Sequence, residues 1–287
     1  MTADPTWRGT AIDAQTALAL LQWQIEMGAG EPGLDAPIDR HELPRSVPAR
    51  GARAVSPDPP PVAAEGANRG IPSPAAAAAG DDLAAHLALA ERMAAGADSL
   101  EALAAAQQAF EPIELRLGAC SFCFADGRPG ARVMVIGEAP GEEEDIAGRP
   151  FVGRAGRLLD RMFAAIGLAR DAPDAERAIY ITNVLPWRPP GNRRPAEDEI
   201  AMMLPFLRRH VELADPEFLV LMGNTPCIAA LGQSGILRLR GTWTQAFGRP
   251  ALPMTHPAYL LRTPLAKRDA WADLLSLAAR LDQPVRP

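Results

Sequence analysis

The apolar run Val133-Met134-Val135-Ile136 is cut off by Gly137-Glu138-Ala139-Pro140-Gly141-Glu142-Glu143-Glu144-Asp145, and no other feature limits the fold of this chain as much. Consecutive apolar residues stopped by glycine and proline read as a buried strand over 132–136. A strand buried on both faces belongs in a parallel sheet with helices above and below. The loop at the carboxyl end of such a strand is where open α/β sheets bind ligands. Glycines in that loop let backbone approach a ligand closely. The carboxylates beside them stand where chemistry can use them.

The same alternation continues downstream. Strands are predicted at 178–184, 217–222 and 251–255, and helices at 154–167, 196–213, 225–231 and 264–282. The fold class that follows is a three-layer α/β/α domain around a short, about four-stranded, parallel sheet. Thr182-Asn183 and His256-Pro257 also follow predicted strands, so their side chains should meet the glycine loop in one crevice.

The segment before this domain has a different character. Residues 12–27 read as a helix closed by Gly28 and Gly30; it either docks on the main domain or binds a protein partner. Ten prolines between Pro32 and Pro74 and an alanine run at 75–79 make 31–80 a flexible linker. Two Ala/Leu-rich helices, 81–95 and 98–109, lead into a domain that starts near 108. The expected organisation is therefore an N-terminal helix (1–30), a linker (31–80), a helical lead-in (81–107) and a catalytic domain (108–287).

Net charge is -6, which by itself disfavours a polyanionic partner. The acidity is uneven: residues 1–107 hold 7 Lys/Arg against 14 Asp/Glu, and the remainder hold 22 against 21. Clusters such as Arg188, Arg193, Arg194 and Arg238, Arg240 leave room for a local basic groove. Three cysteines argue against a disulfide framework. With no long apolar run and no basic-then-apolar start, the expectation is a cytoplasmic monomer without membrane contact.

Three segments together resemble one family. Gly137–Asp145 with Gly148-Arg149-Pro150-Phe151-Val152-Gly153 resembles the first motif of family-four uracil-DNA glycosylases. Ile181-Thr182-Asn183-Val184 with Arg188-Pro189-Pro190-Gly191-Asn192-Arg193 resembles the second, and His256-Pro257-Ala258-Tyr259-Leu260-Leu261-Arg262 the third. The resemblance covers about 108–283, in order and rough spacing. It implies a monofunctional enzyme that flips uracil out of DNA, hydrolyses its glycosidic bond and leaves an abasic site for base-excision repair.

The resemblance also implies roles. Phe151 is the platform on which the base stacks. Asn183 reads uracil, accepting from N3–H and donating to O4. His256 donates to O2 as charge builds on the departing base. Glu138 places water or stabilises the cationic sugar; family four carries Ala139 where better-known relatives carry an Asp or Asn. Gly137, Ala139, Pro140 and Gly141 line the pocket, and Glu144 lies near C5 and helps exclude thymine. Pro257, Tyr259, Leu260, Leu261 and Arg262 probe the duplex, with a wedge among the apolar three and a phosphate contact at Arg262. Gly223, Asn224 and Thr225 open a helix whose amides either bind a phosphate or form a plain cap.

Typical family-four enzymes hold a four-iron, four-sulfur cluster on four cysteines, and here the chain departs from them. Cys120-Ser121-Phe122-Cys123 looks like the first pair, but Cys123 lies only 14 residues before Gly137. Aligning Phe124-Ala125-Asp126-Gly127 with the family instead puts Phe110, Ile113, Trp187 and Met203 at the ligand positions. A cubane needs thiolates, so the expectation is no iron-sulfur cluster, no other cofactor and no metal site, with a hydrophobic subcore in its place. The competing arrangement is a cluster or zinc on Cys120, Cys123, Cys227 and another ligand.

Two other functions compete: a uracil-DNA binding protein with little turnover, and a nucleotide-binding module. Against covalent tethering of DNA, Leu237-Arg238-Leu239-Arg240-Gly241-Thr242-Trp243 holds no histidine. Against a nucleotide site, the glycine loop lacks the Lys-Ser/Thr of a P-loop and the spacing of a dinucleotide fingerprint.

Overall fold

The structure is a computed structural model and describes residues 6–7, 10–11 and 74–282. The helix expected at 12–27 and the linker up to residue 73 lie outside the described residues. The chain forms two units, residues 1–67 and 68–287. In the first, β1 (Thr6–Trp7) pairs antiparallel with β2 (Thr10–Ala11).

Among the described residues of the second unit the first element is α1 (Pro74–Ala95), which starts inside the stretch read as linker. Alanine is the best helix former and proline suits a first helical turn, so the alanine run extends the helix backwards. Then come α2 (Leu100–Gln108), capped by the Ser99 side chain, and the single turn α3 (Leu115–Gly118).

The sheet has six strands in the order β3-β5-β4-β6-β8-β7. Its centre is the expected parallel set, β4 (Val133–Gly137), β5 (Ile179–Asn183), β6 (Phe218–Met222) and β8 (Arg249–Met254). Antiparallel edges, β3 (Ala125–Gly127) and β7 (Thr244–Ala246), widen it beyond the four strands expected. At three residues each, Ala-Asp-Gly and Thr-Gln-Ala carry no apolar run to betray them.

The intervening helices are α4 (Glu142–Ala147), α5 (Arg154–Ala164), α6 (Glu197–Ala214), α7 (Asn224–Leu231), the turn α8 (Ile236–Leu239), α9 (Pro257–Arg262) and α10 (Lys267–Leu281). Met134, Ile136, Tyr180, Leu219 and Leu221 pack with Ile200, Leu207 and Val211 of α6 and Cys227 of α7. Val133, Val135, Ile179, Ile181 and Val220 alternate with them along the strands and are just as buried. They point to the opposite face. There α9 and α10 each pack on α5, and α10 lies on β8.

A second core joins α1, α2 and α6. Phe110, Ile113, Trp187 and Met203 belong to it together, with Leu103, Leu185 and Phe206. Phe110 meets Phe206 edge-on at 5.4 Å, Phe122 lies 5.1 Å from Trp187, and the Gln107 amide points at the Met203 sulfur at 3.4 Å. The positions that the resemblance assigns to cluster ligands thus meet in one place and are filled with apolar side chains. Cys227 belongs to the sheet core instead, and Cys123 donates to the Glu144 carbonyl. Among the described residues no group of three or more His, Cys, Asp or Glu is arranged to hold a metal ion, and no helix is long and apolar enough to cross a membrane.

Truncating Phe110 to alanine leaves a hole that α1, α2 and α6 cannot close without moving. Phe110→Ala should lower unfolding free energy by about 3–5 kcal/mol, read from urea denaturation.

Candidate active site

The carboxyl ends of the parallel strands open onto a cavity of about 210 Å³. Glu138, Pro140, Glu144, Phe151, Asn183, Arg193 and His256 are among its lining residues, so the three sequence motifs converge as their strands require. Ala139 and Gly141 also line it.

Asn183, at the end of β5, lines the cavity and is the register partner of Gly137 at the end of β4, which is not itself a lining residue. A Cβ on Gly137 would stand 2.3 Å from Asn183 Oδ1 and 2.5 Å from Phe151 Cε2, so no other residue fits there. Asn183 is 6% exposed, and its Oδ1 is buried with no hydrogen-bond partner. A buried acceptor left unpaired is costly and uncommon; a ligand N–H would satisfy it. Its neighbour Thr182 is structural, donating to the Phe124 carbonyl at 2.7 Å.

Phe151 is held in the left-handed region at φ 54°, an unfavourable setting for a bulky residue. Arg170 holds it there. The guanidinium donates to the carbonyls of Phe151 (2.8 Å) and Pro150 (3.1 Å) and is ion-paired with Asp126 and Asp160. Strain of this kind persists where the surroundings over-determine it, and it concentrates at functional sites. The result places the Phe151 ring 5.4 Å from that of His256, roughly stacked. Arg170 lies between the motifs and carried no sequence signal.

His256 caps the short helix α9: its Nδ1 accepts from the Ala258 amide at 3.1 Å. With Nδ1 an acceptor, the neutral ring carries its proton on Nε2. Desolvation, reinforced by the positive charge of Arg262, pushes the pKa from 6.5 down to about 4. The group offered to the cavity at neutral pH is a neutral N–H donor.

The acidic residues divide by partner. Glu138 lines the cavity and accepts from the Thr225 hydroxyl at 2.5 Å. Glu144 also lines the cavity, but its carboxylate gathers three backbone amides, those of Gly141 (3.1 Å), Val152 (3.0 Å) and Gly153 (2.8 Å). It ties the two glycine segments together, a task different from reading C5 of a base. A Gly-x-x-Glu spacing at a helix start is a sequence sign of such a cap.

The expected DNA-contacting residues also separate. Leu260 is 1% exposed and packs inward, so it is not available as a wedge; Pro257 is buried as the first residue of α9. Tyr259 and Leu261 are half-buried and Arg262 is exposed. Just beyond them Leu265 is 91% exposed, an apolar side chain that the motif reading passed over. Asn224 uses its Oδ1 to accept from the Gly235 and Ile236 amides. Thr225 is buried, its hydroxyl committed to Glu138. Arg193 is paired with Glu199, Arg188 reaches Asn192 and Glu142, and Arg240 is bound to Asp273. Much of the basic charge read as a groove is therefore engaged within the protein.

Residues 124–275 match the family model described as the uracil DNA glycosylase superfamily. The chain is similar to the Type-4 uracil-DNA glycosylase of Sulfurisphaera tokodaii, 41% identical over 149 residues, which is 48% of this chain and 65% of that protein. It is similar to the Type-4 uracil-DNA glycosylase of Thermotoga maritima, 37% identical over 153 residues, 52% of this chain and 76% of that protein. A Type-5 uracil-DNA glycosylase of Pyrobaculum aerophilum is 32% identical over 130 residues, 42% of this chain and 54% of that protein. The chain spans a little under two thirds of the Sulfurisphaera protein.

The depressed pKa of His256 makes a pH prediction. As pH falls, the unfolded chain takes up this proton near 6.5 and the folded chain only near 4, so the contribution of His256 to stability is present above 6.5 and is lost as pH falls towards 4. Buried His210, pushed down to about 3, acts in the same direction. Denaturation midpoints should therefore fall across this window. The neutral ring, with Nδ1 accepting from Ala258, should persist down to about pH 4. An NMR titration placing the His256 transition near 6.5 would contradict both statements.

Proposed function

Because the chain belongs to the uracil DNA glycosylase superfamily, we propose that it excises uracil from DNA by hydrolysis and leaves an abasic site. The observation that carries this reading is the unpartnered buried Oδ1 of Asn183 at the back of a cavity shared with Phe151 and His256.

Uracil must leave the base stack to reach such a cavity. Stacked on Phe151, it offers N3–H to Asn183 Oδ1 and takes a hydrogen bond at O4 from the amide nitrogen. Cytosine has an unprotonated N3 and an amino group at these positions, so both bonds fail. The Nε2–H of His256 then donates to O2. As the bond from C1′ to N1 breaks, its electron pair goes to the base, and the negative charge is shared between N1 and O2. A neutral donor fixed beforehand by Ala258 strengthens as that charge grows, an effect typically of about 3 kcal/mol. Positive charge on the sugar develops on the side where Glu138 stands. Water adds to C1′ and gives up one proton, and the base takes up one proton to leave as uracil. The sequence has one lysine, Lys267, placed on α10, so none of the motifs supplies an amine for a Schiff base. Tyr259, Leu261 and the exposed Leu265 are the apolar groups near the gap that flipping leaves, and Arg262 is the nearby charge for a phosphate.

The fold works without an iron-sulfur cluster in this reading. Phe110, Ile113, Trp187 and Met203 stand at the corresponding positions and offer no thiolate. The purified protein should contain no stoichiometric iron or zinc and no absorbance band near 400 nm; a stoichiometric metal would refute this.

The deciding assay is cleavage of labelled single- and double-stranded oligonucleotides carrying one deoxyuridine, with alkali added to break abasic sites. Wild-type protein should cut, and His256→Ala should cut about a hundredfold more slowly. Retention of uracil DNA without scission would make the chain a uracil-binding protein, and absence of both would remove the reading.

A further inference from the structure

Three residues, Gly223-Asn224-Thr225, form the turn from β6 into α7, and the proposed chemistry as described makes no use of them. The structure places this turn behind both of the groups that do the chemistry. Thr225 is 6% exposed and its hydroxyl donates to Oε2 of Glu138 at 2.5 Å. Gly223, at φ 103°, donates its N–H to the Met254 carbonyl at 2.9 Å, at the end of the strand that leads to His256. A Cβ on Gly223 would stand 3.4 Å from the Cβ of His256. Asn224 locks the turn by accepting from the amides of Gly235 (3.0 Å) and Ile236 (2.8 Å).

We propose that Thr225 is a positioning residue for Glu138, orienting one carboxylate oxygen from behind so that the other serves the cavity. The inference rests on the excision reading, because it needs Glu138 to act on the sugar or on water. The physical reason is orientational. A glutamate side chain with three free torsions spends most of its time misaligned, and catalysis requires the oxygen where charge develops, not merely nearby. A buried hydroxyl with a single proton fixes one oxygen and adds no charge of its own. A hydrogen bond between a neutral donor and a charged acceptor is among the stronger ones. The same turn abuts His256, so both reacting groups are referred to one rigid element.

The test is steady-state and single-turnover excision on a deoxyuridine oligonucleotide by the full chain and by Thr225→Val, Thr225→Ser, Glu138→Gln and the Thr225→Val/Glu138→Gln double variant. Thr225→Val should lower the maximal rate on the order of tenfold and leave KM within about twofold. Thr225→Ser, which keeps the hydroxyl, should restore most of the rate. In the Glu138→Gln background the valine should add little further loss, because the two residues act as one unit. Thermal melts identify any variant that fails to fold; if valine does, Thr225→Ala takes its place in the same cycle. An unaffected Thr225→Val, a loss confined to KM, or a loss repeated in full in the Glu138→Gln background would overturn the positioning role while the excision reading stands. A wild-type chain without excision would remove both.

Discussion

The site depends on a side chain that is missing. Gly137 and Asn183 are opposite each other at the ends of adjacent parallel strands, and only because Gly137 lacks a Cβ do the Asn183 amide and the Phe151 ring share the space between them. Parallel pairing sets this juxtaposition. A shift of one residue in β5 would turn Asn183 to the opposite face, and one in β4 would take Gly137 out of its place opposite it. The register is held on both sides, by β3 against β5 and by β6 against β4, with every residue of the three parallel strands β4, β5 and β6 buried. The shape of the cavity and the packing of the sheet are therefore one constraint.

Around that pair, the chain fixes functional groups with its own backbone. Arg170 grips the carbonyls of the Phe151 turn, Ala258 holds one nitrogen of His256, and Glu144 collects the amides of two glycine segments. None of these contacts needs to touch a ligand. Each removes a motion that would otherwise be ordered during binding or reaction, which is how a small cavity becomes a preorganised one. The neutral state of His256 follows from the same burial. A charged imidazole would be a stronger donor in isolation, but its desolvation opposes the charge, and the cavity presents a donor that attracts an anion without itself being a cation.

What the sequence made legible was what repeats along a strand or ends one. The four central strands announce themselves as apolar runs, and Asn183 and His256 stand where two of them stop, which is why Phe151, Asn183 and His256 meet in one cavity as expected. The edge strands were not legible because Ala-Asp-Gly and Thr-Gln-Ala pair through backbone alone. Orientation was the other blind spot. Tyr259, Leu260 and Leu261 are neighbours in one motif, yet the helical turn sends Leu260 into the core. Thr225 and Asn224 stand at a helix start, and nothing in that pattern foretells that their side chains are used within the protein. Arg170 could not be found at all, since its task is defined by carbonyls 19 and 20 residues away.

The apolar subcore is a junction built from packed side chains. Phe110 and Ile113 follow α2, Trp187 follows β5, and Met203 lies in α6, so the cluster ties together three separate segments. A metal cluster at such a point would act as a covalent crosslink whose strength resides in a few bonds and whose integrity depends on thiolates. Packing acts through area: each large buried side chain contributes about 2 kcal/mol. The contributions are spread over Leu103, Leu185, Met202 and Phe206 as well. Such a junction does not depend on cysteine oxidation state, but it has no strong point either, since it holds only as long as its volumes interlock. Leu185 and Trp187, in the subcore, lie two and four residues after Asn183 in sequence. The Leu185 amide also donates to the Glu138 carbonyl at 3.1 Å. Close filling of this junction is therefore mechanically continuous with the back wall of the cavity, and a void there would loosen Asn183 and Glu138 before it unfolded the sheet.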